Sequence, residues 1–277
     1  GAVTVTGSAV TLNSSSSNGV VLFSSTVNSA ASAANPLTVS AGSGNVTLTG
    51  AVGGGTNGAL GALTVNTTGT TTFSAAVTAA SVTTNSGGTT AINGGSVTTT
   101  GDQTYNDAVT LGAATTLTSS GSGAINLAST VNGAQTLTIN TAGTTTFGGI
   151  VGGTTALTSV TTDAAGTVVI NGGAVTTTGA QTYNDAATLG AATTLSASSI
   201  TTGSTMAAGS YAVTLTTDAI DLGGNLSSTG ALIIQPKTAT TTIAIGSAAT
   251  GDLKIDDAEL VRLVDGFSSI TIGSTTG

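Results

Sequence analysis

Apolar residues recur along this chain every 18 to 20 positions. One series reads Val77, Val97, Leu117, Leu137, Leu157, Val175, Leu195, Leu215, Ile234, Leu253 and Ile272. A second reads Ile92, Leu111, Val131, Val151, Ile170 and Leu189, and continues less regularly to Leu226 and Ile245. A repeat this short cannot enclose a core alone, so each turn of chain must bury its apolar row against the next. The pattern predicts an all-β parallel β-helix, or β-solenoid, of 19–20 residues per coil, with the first series as its stacking core ladder.

Within a coil, LTIN at 137–140, TTTF at 144–147 and ALTSV at 156–160 alternate as strands do. Asn-Gly pairs at 93–94, 132–133 and 171–172 are expected at corners that need positive φ. Three strands per coil give a triangular section, and parallel crossovers favour a right-handed path. About 14 coils, spaced by the ordinary interstrand distance of roughly 4.8 Å, would make a rod on the order of 65 Å long. No linker interrupts it, so residues 1–277 read as one elongated domain.

A longer repeat overlies the short one. Residues 92–118 and 170–196 are offset by 78 and identical at 23 of 27 positions. LTVNTTGTTTF at 63–73 and LTINTAGTTTF at 137–147 are offset by 74. The 78-residue offset reads as four coils. The mismatch of four predicts a loop on one edge in the second copy.

The tail, 252–277, differs. Ten of the fourteen charged residues follow position 217, and seven lie from Asp252 to Asp265. DDAELVRLVDG is the one helical segment expected, with Asp256 and Glu259 as a capping box. Leu260, Leu263, Val264 and Phe267 would share its face, and Gly266 could end it.

Composition narrows the function. Charged residues are 5% of the 277, against about 25% in ordinary soluble domains. Thr and Val suit a pleated surface, and Gly, Asn and Ser suit corners. Net charge is −8 with three basic residues, which leaves no basic patch for nucleic acid or for an anionic membrane surface. No apolar run is long enough to span a bilayer as a helix. No cysteine is present to staple the coils. The chain opens at Gly1 without Met, so it reads as a mature or excised piece, with any export signal outside it.

Candidate chemistry is sparse. Before position 218 the acids are Asp102, Asp107, Asp163 and Asp185, and the chain has no His. A sugar-cleaving pair needs two carboxylates across a sugar-sized gap, so no catalytic set is assigned. The tail acids lack a calcium-loop pattern, and no metal or cofactor is expected. Tyr105 and Tyr183, in equivalent TYND segments, are read as interior packing rather than a sugar-stacking pair. Thr triplets begin at 70, 98, 144, 176 and 240, too irregularly for one flat ice-binding plane. They read as soluble β-formers.

The repeats TTTGAQTYNDA-TLGAATTL and LTINTAGTTTFGG, with the tail IDDAELVRLVDGFSSITIG, resemble giant bacterial surface exoproteins of the filamentous-haemagglutinin-like, adhesin type. The resemblance is densest from about residue 60 onward. It implies a right-handed parallel β-helix, secreted across the outer membrane, acting in attachment, biofilm or surface coats. Extracellular or cell-surface placement in a bacterium follows from it as an expectation. Surface glycans are partners compatible with such a role.

A solenoid exposes an unpaired coil at each end unless it is capped. GAVTVTG opens as a strand and SSITIGSTTG closes as one. Val3 and Val5 at one end, and Ile270 and Ile272 at the other, are therefore the candidates for end-to-end association with a second copy or a tandem segment. The resulting expectation is a non-catalytic structural fibre or coat component, with an adhesin stalk as the alternative and an ice-binding solenoid as the second.

Overall fold

A computed structural model describes residues 1–31, 33–54 and 58–273. It is an all-β parallel solenoid of about eleven turns, near 20 residues per turn, with one short helix near its C-terminal end. At the usual strand spacing the rod is about 50 Å long. Fewer, longer turns replace the expected 14. On one face the rungs Val27, Val52 and Val77 stand 25 residues apart, because the early turns carry longer corners.

Three faces run the length of the stack, and every named strand pairing among the described residues is parallel. On the first face Val3, Val27, Val52, Val77, Val97, Leu117, Ile139, Thr162, Tyr183, Thr202 and Leu222 stack in register. The second face carries Leu12, Val39, Val65, Thr84, Tyr105, Leu127, Phe147, Ile170 and Leu189. The third carries Val21, Val46, Thr71, Thr90, Val109, Val131, Val151, Val175, Leu195, Leu215, Ile234 and Ile272. Long strands such as Thr193–Thr202 and Val213–Leu222 turn a corner and pair on two faces.

The eleven residues expected in one ladder therefore divide. Val77, Val97 and Leu117 are successive rungs of the first face. Leu117 then meets Ile139, while Leu137 stacks on Thr115 and Val160 rather than on Leu117 and Leu157. Leu157 bridges Thr177. Val175, Leu195, Leu215 and Ile234 are successive rungs of the third face. Ile234 pairs with Ile272, and Leu253 leaves the series to pair with Ile243. From Leu117 through Ile139 and Thr162 to Tyr183 the turns take 22, 23 and 21 residues. A fixed period of 20 drifts across that stretch by about six residues, which is one strand and its corner. Val77 to Leu253 are nonetheless all buried.

The second long copy holds the extra residues as an exposed loop. Thr154 and Thr155 donate their backbone N–H groups to Asn132 Oδ1 at 2.9 and 3.2 Å. Positive φ at the corner after Ile92 falls on Gly95 (+74°), not on Gly94. Gly94 is needed for space, since a Cβ there would lie 2.1 Å from the Ala75 carbonyl carbon.

The helix is a single turn, Asp257–Leu260. Its capping box forms: Ala258 N–H donates to Asp256 Oδ1 at 2.8 Å and Asp256 N–H to Glu259 Oε2 at 3.1 Å. It stops before Leu263 because the second face offers backbone partners. Leu226 donates its N–H to Arg262 and accepts one from Val264, so the chain turns extended there. Gly266 (φ +136°) thus lies well past the helix end. Leu260, Leu263 and Phe267 still pack against the core.

Candidate functional site

The isolated acids of the shaft are staples between coils. Asp102 Oδ1 accepts the Ala124 N–H at 2.8 Å, and Asp163 Oδ1 the Thr141 N–H at 3.1 Å. Asp107 is buried and accepts the Gly88 N–H at 2.8 Å and the Thr90 hydroxyl at 3.3 Å. Asp185, its counterpart, accepts the Gly166 N–H at 2.7 Å. Burial pushes both carboxyls above the ordinary aspartate range, against the lowering effect of those amides. Asp107, Asp163 and Asp185 face backbone of the preceding turn and Asp102 backbone of the following one, and the charge of Asp163 adds to the upward push on Asp185. Among the described residues no group of three or more His, Cys, Asp or Glu is placed to hold a metal ion.

Tyr105 and Tyr183 are fully buried. Each hydroxyl donates to a buried glutamine, Gln103 Oε1 at 2.9 Å and Gln181 Oε1 at 3.0 Å. Burial drives both phenols far above their usual range. These side chains build the interior and present no ring to a ligand. The glutamines were not singled out by sequence reasoning, although QTY recurs in both copies.

The Thr triplets scatter over the three faces. Thr71 is a rung of the third face, Val97 to Thr99 belong to the first and Thr145 to Phe147 to the second. The structure instead aligns other threonines. Thr116, Thr138, Thr161, Thr182 and Thr201 stack on the outside of the first face. Thr11, Thr38, Thr64, Thr83 and Thr104 stack on the outside of the second. No fixed sequence period reveals these rows, because they follow turns of unequal length. Their side chains are neutral donors and acceptors. The one ion pair among the described residues, Lys254 to Asp256 at 3.6 Å, lies in the tail.

The ends differ from the shaft. At the N-terminal end Val3–Val5, Val10–Asn13 and Val21–Phe23 each pair on one side only. Val3, Val5, Val10, Leu12, Phe23 and Leu37 line an apolar hollow of about 290 Å³, the open mouth of the core. Val5 is buried and Val3 partly so. At the C-terminal end Leu253 and Ile255, within the tail, are buried. Ser269–Ile272 pairs with Ala231–Gln235 and has no partner on its outer side. Ile270 there is exposed and Ile272 half-buried.

The tail is tied down by Asp218, which sequence reasoning passed over. Its carboxylate accepts the backbone N–H groups of Lys237 (3.0 Å) and Thr238 (2.8 Å) and the hydroxyls of Thr238 (2.6 Å) and Thr241 (2.8 Å). Partial desolvation would raise its pKa, but these donors outweigh it and hold the carboxyl below the ordinary range. Lys237 Nζ reaches back to the Thr177 carbonyl at 2.6 Å. No helix among the described residues is long and apolar enough to cross a membrane.

Comparison of the chain with protein-family models, with curated proteins and with solved structures returned no match.

Proposed function

We propose that this chain is a non-catalytic structural rod of a bacterial surface fibre or coat, of the filamentous-haemagglutinin-like kind its repeats resemble. The observation that carries the reading is the three continuous ladders of parallel pairing. Each turn is hydrogen-bonded to its neighbours by backbone, which makes the stack stiff along its axis. The rows of neutral hydroxyls outside allow rods to lie side by side with little charge repulsion. The interior acids serve as staples, so the fold commits its few reactive side chains to cohesion.

A stalk within a larger adhesin is the second reading, supported by the uniform rows of outward threonines along the shaft. In either case the chain would act as a spacer outside the cell. Immunogold labelling of intact source cells tests both. Label on extracellular fibres or a coat supports the first reading, and label at a fixed distance from the envelope supports the second. Label reaching the antigen only after permeabilisation overturns both. The double substitution Asp107→Asn, Asp185→Asn should leave assembly and attachment unchanged.

A further inference from the structure

The two copies of the long repeat hold their buried aspartates differently. Asp107 and Asp185 occupy equivalent positions, 78 residues apart, and are 1% and 2% exposed. Each accepts one backbone N–H at Oδ1, from Gly88 and Gly166 respectively. At Oδ2 the two sites part. Asp107 Oδ2 accepts the Thr90 hydroxyl at 3.3 Å. The position equivalent to Thr90 is Val168, which is also buried, and Asp185 Oδ2 has no hydrogen-bond partner among the described residues.

A second exchange between the copies acts in the same direction. Asn85 Oδ1 accepts the Thr67 N–H at 2.7 Å, and its counterpart Asp163 accepts the Thr141 N–H at 3.1 Å. The contact is kept, but a neutral amide has become a carboxylate, whose charge opposes ionisation of Asp185. Asp163 is the one charge that reaches this site among the described residues. Tyr183, two residues before Asp185, stays a neutral phenol. Thr162 lies close enough to favour the charged form slightly, yet its hydroxyl is buried and makes no hydrogen bond.

A buried carboxylate oxygen without a donor, beside a like charge, is costly, and a proton would let it and the Thr162 hydroxyl satisfy each other. We infer that Asp185 is a proton-binding site of the shaft: with the proton on Oδ2 it donates to the Thr162 hydroxyl and keeps the corner at 163–166 closed, over a pH range in which Asp107 is still a carboxylate. The proton comes from solvent, and nothing else is gained or lost. As pH rises Asp185 ionises, the cost of burying its charge returns, and the corner at Gly166 opens before the rest of the shaft. The rod thus carries one coil whose closure depends on pH, while the equivalent coil at Asp107 changes at lower pH.

Carboxyl-carbon NMR of the full chain, followed over a pH series, reads the two sites separately. Asp185 should titrate at higher pH than Asp107. Val168→Thr with Asp163→Asn gives the second site the residues of the first, and should bring the Asp185 titration down to that of Asp107. Thr90→Val with Asn85→Asp makes the reverse exchange and should carry Asp107 up. Each pair of residues already stands at the other site, so the coils should form in both variants, which circular dichroism checks. If one variant fails to fold, the other still reads the exchange. Amide exchange adds a second reading: protection of Gly166 relative to Gly88, measured in the same sample, should fall as pH passes through the Asp185 titration. Asp185 titrating at or below Asp107 overturns the inference, as do exchanges that move neither carboxyl. A ratio of Gly166 to Gly88 protection that stays constant across that range overturns the pH-dependent closure.

Discussion

Tyr105 and Tyr183 make the same hydrogen bond from the same sequence motif, yet they sit on different faces of the rod. Tyr105 stacks between Thr84 and Leu127 on the second face, and Tyr183 between Thr162 and Thr202 on the first. Four turns on from Tyr105, through Leu127, Phe147 and Ile170, lies Leu189. The 78-residue offset therefore falls six residues short of four turns and lands one face back. The copies are related by a screw of about a third of a turn, not by direct stacking. Gln103 Nε2 donates to the carbonyls of Val97 and Thr118, and Gln181 Nε2 to those of Val175 and Ser196, so the motif carries its own surroundings to whichever face receives it.

This equivalence predicts matched energetics. Tyr105→Phe and Tyr183→Phe each leave a buried glutamine oxygen without its donor, at a cost of about 1–3 kcal/mol. The two losses should be nearly equal and should add in the double variant, since the sites share no partner. Urea unfolding followed by circular dichroism measures this. A cost at one tyrosine alone would contradict the shared role.

The pairing of Leu137 with Val160 predicts a cross-link pattern. Thr138 faces Thr161 across the first face. A residue at 158, which a 20-residue period would choose, lies three positions away, roughly 10 Å along the strand. The chain has no cysteine of its own. Thr138→Cys with Thr161→Cys should therefore oxidise to a disulfide, whereas Thr138→Cys with Thr158→Cys should not, because bridged Cα atoms stand about 4.4–6.8 Å apart. Intact-mass measurement before and after alkylation gives the answer.

The class of fold was legible because small coils force an apolar row into every turn. The register was not. Val77, Val97 and Leu117 could be read at a constant period, but the three longer turns from Leu117 to Tyr183 shift the chain by a face, and a periodicity averages over that. The capping box at Asp256 and Glu259 was readable from local chemistry. The length of its helix was not, since a distant partner, Leu226, takes the backbone groups at 262–264. The end residues Val3, Val5, Ile270 and Ile272 were legible as strand edges. Leu12 and Ile243 escaped notice, and Ile245, read as the last member of the second apolar series, is exposed; none of the three could be placed without knowing which coil is outermost.

Shaft and tail should respond to acid in opposite directions. The folded state raises the pKa of Asp107 and Asp185, so each binds a proton more readily folded than unfolded. Stability then rises as pH falls from neutral through their raised values, and this gain is complete below the unfolded value of about 4. Asp218 and Asp252 are lowered, Asp252 by the Thr242 N–H and hydroxyl. Their contribution is present above the unfolded value and is lost as pH falls through their folded values. Melting temperature should thus increase on mild acidification, and Asp107→Asn with Asp185→Asn should remove that increase. Limited proteolysis at lower pH should cut first within residues 236–268. A melting temperature that falls steadily from neutral pH would count against the buried carboxylates as described.

Asp218 should govern the tail without governing the rod. Its four hydrogen bonds gather Lys237, Thr238 and Thr241 at the point where the chain leaves the third face. Asp218→Ala removes all four acceptor contacts, while the neighbouring rungs at Thr217 and Ala219 keep their pairing with Ala197 and Ser199. The carboxylate is largely solvated, so the loss per bond is at the low end of the usual scale, and amide exchange at Lys237 and Thr238 should quicken by roughly tenfold. Asp218→Asn retains an acceptor and should recover part of the protection. Exchange in Val213–Leu215 and Leu195 should stay as it was. If Asp218→Ala instead accelerates exchange throughout the last turns, the tail is part of the stacking unit itself, and its release would unzip the coils beneath it.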